Sequence, residues 1–307
     1  MDEFGIIARY FAPLAGEGAF GLKDDAALVP QRAGCDLVVT TDAVTEGVDF
    51  FGFDPPGAIA RKALRVNLSD LAAKGAQPAF YLLNLTLPAG VAPDWLAGFA
   101  AGLAEDQRAF GIALLGGDTS ATDGPFSVAV TAFGFVPAGR MVKRSGARAG
   151  DHVYVTGTIG DSAGGLAIFR QETHDLPDAD RDALVARYRV PEPPVAFTGA
   201  LRDIAHAAVD VSDGLIADLG HLASASGVRV VVEGERVPLS APLKKLWGEN
   251  AVRRAVTAGD DYQIAFAAPP GLDGPFTRIG HVTEGEGVAF MLKGAEVVLS
   301  KAGFQHF

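Results

Sequence analysis

The sequence predicts a chain of two mixed α/β domains. At 307 residues it is longer than a single hydrophobic core usually organises. Hydrophobic residues make up 49% of it, and its 38 glycines suit buried strands joined by tight turns. Runs rich in β-branched residues alternate with segments of helical apolar spacing, which is the pattern of α/β architecture.

One stretch separates the two predicted domains. Pro137-Ala138-Gly139-Arg140 combines the two residue types that most often interrupt regular structure, and a new pattern begins after it. We therefore expect an N-terminal domain over 1–138 and a C-terminal domain over 139–307.

The first domain is predicted to contain four strands and two long helices. The helix over 58–74 is indicated by apolar spacing through Ile59, Ala63 and Leu71, and Gly75 with Pro78 ends it. The other elements are a helix over 94–110 and strands over 36–41, 79–87, 112–115 and 127–136.

The second domain repeats the mixture of strands and helices. Its predicted strands cover 152–156, 207–211, 229–233, 262–267 and 289–292. Its predicted helices cover 162–171 and 215–226, with Gly227 ending the latter, and a further helix follows the proline-rich loop over 191–194.

Composition excludes several classes of function. The net charge of −11, without clustered Lys or Arg, argues against a nucleic-acid partner. The opening segment 1–11 carries Asp2, Glu3 and Arg9, so it matches neither a signal peptide nor a membrane span, and we expect a cytoplasmic protein. Cys35 is the only cysteine and the His residues show no zinc spacing, so any metal must bind oxygen ligands.

Acidic residues recur where predicted strands end or turns begin. Asp42 follows the strand over 36–41, Asp118 follows Leu114-Leu115-Gly116-Gly117, and Asp210 and Asp213 flank Ser212. The ends of strands are where α/β enzymes gather their chemistry. Asp24-Asp25 lies in a predicted turn, and Asp70 follows Asn67 by one helical turn, so those two side chains share a face.

Each acid alone has an ordinary structural interpretation, because Asp is common in turns and helix caps, and Ser212 is placed to cap the helix over 215–226. The set is harder to explain in that way. Gathered carboxylates repel one another unless a hard cation with oxygen ligands neutralises them, and magnesium fits best when phosphates complete its shell.

The sequence contains two candidate phosphate-binding features, and each also has an ordinary structural interpretation. No G-x-x-x-x-G-K-[ST] stretch exists, which excludes a P-loop. The glycine-rich turn from Gly157 to Gly165 opens a helix and offers N–H groups to an anion, although such turns often only connect a strand to a helix. Arg144 is placed either as a phosphate contact or as a solvated surface charge.

Together these segments resemble the thiamine-monophosphate kinases, a family in the superfamily of aminoimidazole-ribonucleotide synthetase and selenophosphate synthetase. The resemblance runs nearly end to end, and the order and spacing of its motifs carry it. The motifs are Thr40-Thr41-Asp42 with Glu46-Gly47-Val48, Asn67-Leu68-Ser69-Asp70-Leu71-Ala72-Ala73, Gly116-Gly117-Asp118-Thr119, Arg144-Ser145-Gly146-Ala147, Tyr154-Val155-Thr156-Gly157, Asp210-Val211-Ser212-Asp213-Gly214-Leu215 and Gly259-Asp260-Asp261-Tyr262.

The resemblance implies a reaction and a set of site residues. It implies two domains of the aminoimidazole-ribonucleotide synthetase type, a homodimer that pairs the N-terminal sheets, and ATP-dependent conversion of thiamine monophosphate to thiamine diphosphate with several Mg²⁺ ions. The implied magnesium positions are Asp25, Thr40, Thr41, Asp42, Asp70, Asp118, Asp210 and Asp213. ATP would contact Gly117, Asp118, Arg144 and Ser212, and the thiamine phosphate would meet Asp49, Asp260 and Phe304.

This chain departs from the family pattern mainly near the acceptor. It has Lys23-Asp24-Asp25 for Gly-Asp-Asp, Asp49 for the usual His, Gly259-Asp260-Asp261-Tyr262-Gln263 for Gly-Glu-Asp-Tyr-Glu, and Phe304 for a Tyr or Trp. Asp49 is expected to face a metal or the cationic thiazolium ring, since a phosphate would repel it. Two alternatives remain: another enzyme of the superfamily, in which ATP activates an amide or carbonyl oxygen, and a non-catalytic nucleotide-binding scaffold. The selenophosphate synthetases usually carry a reactive cysteine near the start of the chain and the hydrogenase-maturation relatives one at its very end, and Cys35 lies in neither place.

Overall fold

A computed structural model of the chain describes residues 2–172 and 176–305. The chain divides into two compact units. Unit 1 comprises Met1–Leu71 and Ala76–Met141, and unit 2 comprises Ala72–Gly75 and Val142–Phe307. The second unit begins a few residues after the predicted boundary, because the Val142 N–H already donates to the Lys74 carbonyl of the same unit at 3.1 Å.

Unit 1 is built on a four-stranded sheet in the order β1-β4-β2-β3. Strand β4 pairs antiparallel with both β1 and β2, and β3 adds to β2 in parallel. One face is buried through alternate residues such as Val128, Val130 and Leu83, while the residues between them are more exposed. The strands are β1 (Cys35–Thr45), β2 (Gln77–Pro88), β3 (Ala113–Thr122) and β4 (Ser127–Pro137).

Two long helices lie in this unit beside a short N-terminal helix. Each long helix begins with a proline, and Gly111, in a left-handed conformation, ends the second of them. The two helices approach closely, because a Cβ on Gly102 would lie 2.4 Å from the Gly57 carbonyl oxygen. The helices are α1 (Glu3–Ile6), α2 (Pro56–Ala73) and α3 (Pro93–Phe110).

Unit 2 is built on a seven-stranded mixed sheet in the order β11-β10-β7-β9-β5-β8-β6. Its core consists mostly of aliphatic side chains from the sheet and from the helix that follows β6. The strands are β5 (His152–Thr156), β6 (Ala207–Val211), β7 (Arg229–Glu233), β8 (Gln263–Ala268), β9 (Phe276–Thr283), β10 (Gly287–Leu292) and β11 (Ala295–Glu296). The helices are α4 (Asp161–Phe169), α5 (Asp178–Arg189), α6 (Thr198–Ile204), α7 (Leu215–Ser226), α8 (Ala241–Trp247) and α9 (Ala251–Ala255).

The placement of two acids at strand ends was wrong. Asp42 lies inside β1, which continues to Thr45 because its backbone stays paired with β4 through this region. Asp118 lies inside β3, which passes through the two preceding glycines and stays in parallel register with β2 as far as Thr122. The mixed α/β class itself is confirmed.

Candidate functional site

In unit 1, two hydrogen bonds connect the acidic part of β1 to helix α2. The Thr40 hydroxyl donates to the Asp70 carboxylate at 2.5 Å, and the Asp42 N–H donates to the Asn67 side-chain oxygen at 3.0 Å. Asn67 is fully buried, and its amide nitrogen donates to the carbonyl of Ala63 one turn earlier. The shared helix face predicted for Asn67 and Asp70 is therefore the face that contacts β1.

Thr41 lies on the opposite face of β1 from its two neighbours, as the alternation of side chains along a strand requires. Its hydroxyl donates to the Val130 carbonyl at 3.1 Å and accepts a hydrogen bond from the Thr131 hydroxyl at 3.1 Å. The hydroxyl of Thr41 is thus bonded across the sheet to β4, whereas Thr40 is bonded to the helix.

A cavity of about 550 Å³ opens beside β3. Its lining is mixed, with apolar side chains such as Ile7 and Phe11 and the carboxylates of Asp24, Asp25 and Asp118. The backbone of Gly116 and Gly117 also lines it. An apolar region beside three carboxylates suits a ligand that has both an aromatic ring and a metal-bound anionic group.

Gly117 has a backbone that no other residue adopts easily. Its φ is 153°, and a Cβ there would lie 1.8 Å from the Leu83 carbonyl oxygen of β2. The glycine therefore allows β3 to pair with β2 while its backbone lines the cavity.

Five of the six predicted metal residues of unit 1, all except Thr41, form two groups. Asp42 pairs with Val130, Val130 with Leu83, and Leu83 with Gly117, so a single row crosses all the strands of the sheet. With neighbouring strands about 4.8 Å apart, the backbones of Asp42 and Gly117 are separated by about 14 Å. Thr40, Asp42 and Asp70 form the group at β1, and Asp25 and Asp118 form the group at the cavity.

Asp49 lies in the turn that follows β1. Its carboxylate accepts the Thr45 N–H at 2.8 Å, and its own N–H donates to the Thr45 carbonyl at 2.9 Å. The ammonium of Lys62, which is 1% exposed, donates to the Asp49 carbonyl at 2.7 Å. The backbone at Asp49 is therefore fixed from α2, and its side chain closes the turn.

In unit 2, the residues predicted to bind magnesium and ATP at the Asp210-Val211-Ser212-Asp213 motif lie in β6 and in the loop before α7. Asp210 is 4% exposed and lies inside the strand, while Ser212 and Asp213 follow it. The cap of α7 is Gly214, and no side chain caps this helix, so the interpretation of Ser212 as an N-cap is wrong. The N–H groups of residues 212–214 instead donate to one carboxylate oxygen of Asp218, at 3.0 to 3.1 Å.

Asp218 is not among the residues predicted from the sequence. Its position inside an apolar helix gives no signal of a role, because its contacts with residues 212–214 exist only in the folded protein. Burial raises its pKa to about 7, and the nearby charge of Asp213 acts in the same direction, while the three N–H donors oppose the rise. Ligand atoms of Asp213, Asp218 and the exposed His221 lie within 4.8 Å of one another.

The two acceptor residues predicted in this unit both contact the loop of residues 212–214. The Asp260 N–H donates to the Ser212 carbonyl at 2.8 Å, and the Phe304 N–H donates to the Asp213 carbonyl at 2.9 Å. The Tyr262 hydroxyl donates to the Asp260 carboxylate at 3.1 Å. The ring of Phe304 is 48% exposed.

The glycine-rich turn before α4 does bind a carboxyl group, but that group belongs to the protein. Both carboxylate oxygens of Asp261 accept the Gly160 N–H, at 2.9 and 2.7 Å. Burial holds the pKa of Asp261 well above its ordinary value, and the charges of Asp161 and Asp260 raise it further. The N–H group of Gly160 therefore already has a protein partner.

Arg144 is exposed, in the loop between the two units' boundary and β5. The Ser226 hydroxyl holds this loop, since it donates to the Arg144 carbonyl at 3.2 Å and accepts the N–H groups of Gly146 and Ala147 at 3.2 Å. The guanidinium is thus carried on a fixed backbone at the surface.

The donor set suits a hard divalent cation. The predicted positions offer carboxylate and hydroxyl oxygens, and none of them is a thiol or imidazole. Among the described residues of unit 1, the carboxylates of Asp25 and Asp118 share a cavity, which is an arrangement that a cation stabilises.

Family models match both halves of the chain. Residues 23–136 match the model described as AIR synthase related protein, N-terminal domain, and residues 148–293 match its C-terminal counterpart. The thiamine-monophosphate kinase of Caulobacter vibrioides is 44% identical, covering 99% of this chain and 90% of that protein. The thiamine-monophosphate kinase of Escherichia coli K12 is 41% identical, covering 99% and 98%.

Solved structures agree with these relatives. The thiamine-monophosphate kinase of Stenotrophomonas maltophilia superposes with a TM-score of 0.81 at 42% identity, covering 89% of this chain and 91% of that one. A structure described as AaThiL complexed with AMPPCP and TMP gives 0.82 at 34% identity, covering 94% and 97%. Within the described part of the chain, no helix has both the length and the apolar character needed to cross a membrane.

Proposed function

The chain belongs to the thiamine-monophosphate kinase family, and we propose that it transfers the γ-phosphoryl group of ATP to thiamine monophosphate. The product would be thiamine diphosphate, so the reaction would be the last step of thiamine diphosphate biosynthesis, carried out in the cytoplasm. The observation that carries the proposal is the cavity of unit 1, where an apolar lining lies beside three carboxylates and the exposed backbone of Gly117.

Several magnesium ions would be held by oxygen ligands. The residues proposed to hold them are Asp25, Thr40, Thr41, Asp42, Asp70, Asp118, Asp210 and Asp213. When bound, the metals would supply neutralisation of the negative charge on the two substrates.

The nucleotide would be bound by backbone and side-chain groups that the fold holds in place. We assign it to Gly117, Asp118, Arg144 and Ser212. A relative of 34% identity is described as complexed with AMPPCP and TMP, which supports a nucleotide and an acceptor bound together. The acceptor is assigned to Asp49, Asp260 and Phe304, whose exposed ring can stack on an aromatic ring.

The proposed chemistry is direct in-line transfer without a covalent intermediate. A phosphate monoester has a second pKa of about 6, so its attacking oxygen is already largely ionised at neutral pH and no general base is needed. The chain's residues then have to bind two anionic substrates, orient them and exclude water from them. Positioning and charge neutralisation are the main contributions of a protein to phosphoryl transfer.

A homodimer is part of the proposal, with the sheets of unit 1 paired. Two apolar side chains on β1, Leu37 and Val39, are 47% and 58% exposed and point to the same side of the strand. Pairing of two such faces would remove them from water. Light scattering at micromolar concentration is the measurement, and a monomer would contradict this part of the proposal.

The function is tested by incubating the protein with ATP, Mg²⁺ and either thiamine monophosphate or free thiamine, and identifying the products by mass. We expect thiamine diphosphate from the monophosphate only, because free thiamine offers an alcohol whose proton needs a base and has no phosphate for a metal. Comparable rates with free thiamine would contradict the assignment. ATP binding without any turnover would instead support a non-catalytic scaffold.

A further inference from the structure

The loop of residues 212–214 is irregular, yet each of its backbone polar groups has a partner. Its three N–H groups donate to a single oxygen of Asp218, at 3.1, 3.1 and 3.0 Å. Its three carbonyls accept the N–H groups of Asp260, Phe304 and Asp218, at 2.8, 2.9 and 3.0 Å. A loop without regular structure is therefore as fully bonded as a strand in a sheet.

The two peptide planes of this loop are each held from both sides. The N–H and C=O of a trans peptide point in opposite directions within one rigid plane. In the plane between Ser212 and Asp213, the Asp213 N–H donates to the Asp218 carboxylate and the Ser212 carbonyl accepts the Asp260 N–H. In the plane between Asp213 and Gly214, the Gly214 N–H donates to the Asp218 carboxylate and the Asp213 carbonyl accepts the Phe304 N–H.

Asp218 is well placed to hold these planes. It lies in the first turn of α7 and is 2% exposed, so water does not compete for its carboxylate. A carboxylate at the N-terminus of a helix is also favoured by the helix dipole, and converging N–H groups form an anion-binding nest. Gly214, with a φ of 129°, gives the loop the curvature that brings its N–H groups together.

We propose that Asp218 is a positioning residue that fixes the nucleotide and metal residues Ser212 and Asp213 and the acceptor residues Asp260 and Phe304 in one arrangement. The roles of those four residues rest on the function proposed above. Asp218 itself touches neither substrate in this proposal. It acts through the loop of residues 212–214, so its loss disturbs the binding of both substrates together.

The kinetic test compares Asp218→Ala and Asp218→Asn, with Asp151→Asn as the matched control. Asp151 is likewise buried in unit 2, and its carboxylate also accepts a backbone N–H in a turn, that of Arg148 at 2.9 Å. We expect Asp218→Ala to raise the KM for ATP and the KM for thiamine monophosphate by about tenfold each, because buried N–H groups lose their acceptor. Asp218→Asn keeps an acceptor oxygen and should raise both by about threefold.

A purely structural role predicts a different result. Loss of folded protein would lower kcat and leave both KM values unchanged, and unchanged KM values in Asp218→Ala would overturn the proposal. A rise confined to one substrate would overturn it as well, because the loop would then not couple the two. If the alanine variant does not fold, the joint rise in Asp218→Asn decides, and its absence overturns the proposal.

Hydrogen exchange separates this inference from the proposed function. Mass spectrometry of the protein without substrates measures deuterium uptake by peptides that contain residues 212–214, Asp260 and Phe304. Asp218→Ala should speed exchange in all of these peptides and leave the β5 peptide unchanged, whereas Asp151→Asn should leave the peptides that contain residues 212–214, Asp260 and Phe304 unchanged. Unchanged exchange in Asp218→Ala would overturn the inference even in an active kinase, and an inactive wild type would overturn only the function.

Discussion

The hydroxyl of Thr40 donates to the carboxylate of Asp70 at 2.5 Å, joining strand β1 to helix α2 between two residues assigned to the magnesium set. A short bond to a charged acceptor orients that carboxylate and leaves its other oxygen for a cation. We expect Thr40→Val, which keeps the shape and removes the hydroxyl, to raise the Mg²⁺ concentration for half-maximal activity by about tenfold.

Thr40→Ser is the matched variant, because it keeps the hydroxyl and should stay within about threefold of the wild-type Mg²⁺ requirement. The measurement is a magnesium titration at saturating ATP and acceptor. Equal Mg²⁺ requirements for the valine and serine variants would show that the bond only supports the fold.

Asp42→Asn and Asp210→Asn should each lower kcat by at least about a hundredfold while the protein stays folded. Each change removes one negative charge at a position assigned to metal, and the hydrogen bond from Asp42 to Asn67 is donated by the backbone N–H, which the change leaves intact. Asp36→Asn, on the exposed part of β1, is the control and should retain wild-type activity. Near-native rates in both site variants, with an unchanged Mg²⁺ dependence, would contradict the metal assignment.

Gly117→Ala should both destabilise unit 1 and abolish nucleotide binding. The new Cβ would lie 1.8 Å from the Leu83 carbonyl oxygen at a φ of 153°, so β3 has to move. We expect the free energy of unfolding to fall by about 3 kcal/mol, which corresponds to a melting temperature lower by roughly 5 to 10 °C.

Gly116→Ala is the control for the loss of stability, because its Cβ would meet only the side chain of Leu82, at an ordinary 3.5 Å. Calorimetry gives the melting temperature and titration with a non-hydrolysable ATP analogue gives the affinity. Wild-type affinity in a folded Gly117→Ala variant would show that the cavity beside β3 does not hold the nucleotide.

The sequence predicted several elements of unit 2 to the residue, and the reason is local. Strands β5, β6 and β7 and helix α7 each combine a clear apolar pattern with a defined end, such as the left-handed Gly227 after α7. Strand β9 was missed, because Arg278, Gly280 and His281 interrupt its pattern. Tertiary contact explains Gly280, since a Cβ there would lie 2.0 Å from the Val231 carbonyl oxygen of the neighbouring strand.

The motifs indicate candidate site residues, but they do not indicate the residues that hold those motifs in place. The carboxylates of the magnesium set could be named from spacing and resemblance, but the division of the unit 1 residues between β1 and the cavity depends on sheet order, which no local pattern encodes. Asp218 and Lys62 were missed for the same reason. Each binds backbone groups of a site loop, and such contacts exist only once the chain has folded.

Asp261 gives the chain a pH-dependent stability that its substitution by Asn should remove. Burial holds the pKa of this carboxyl group well above its ordinary value of 3.8, so the folded protein binds a proton that the unfolded chain has already released. Between those two pKa values the free energy of unfolding falls as the pH rises, and the stabilisation is complete only below the unfolded value.

Asn resembles the protonated acid and carries no charge at any pH. The melting temperature of Asp261→Asn relative to wild type should therefore increase between about pH 5 and about pH 8. Asp273→Asn is the control in the same unit, because its side chain is exposed in a loop and this change should give no such trend. A difference between Asp261→Asn and wild type that stays constant over this range would mean that Asp261 is ionised in the folded protein, held by the N–H of Gly160 despite its burial.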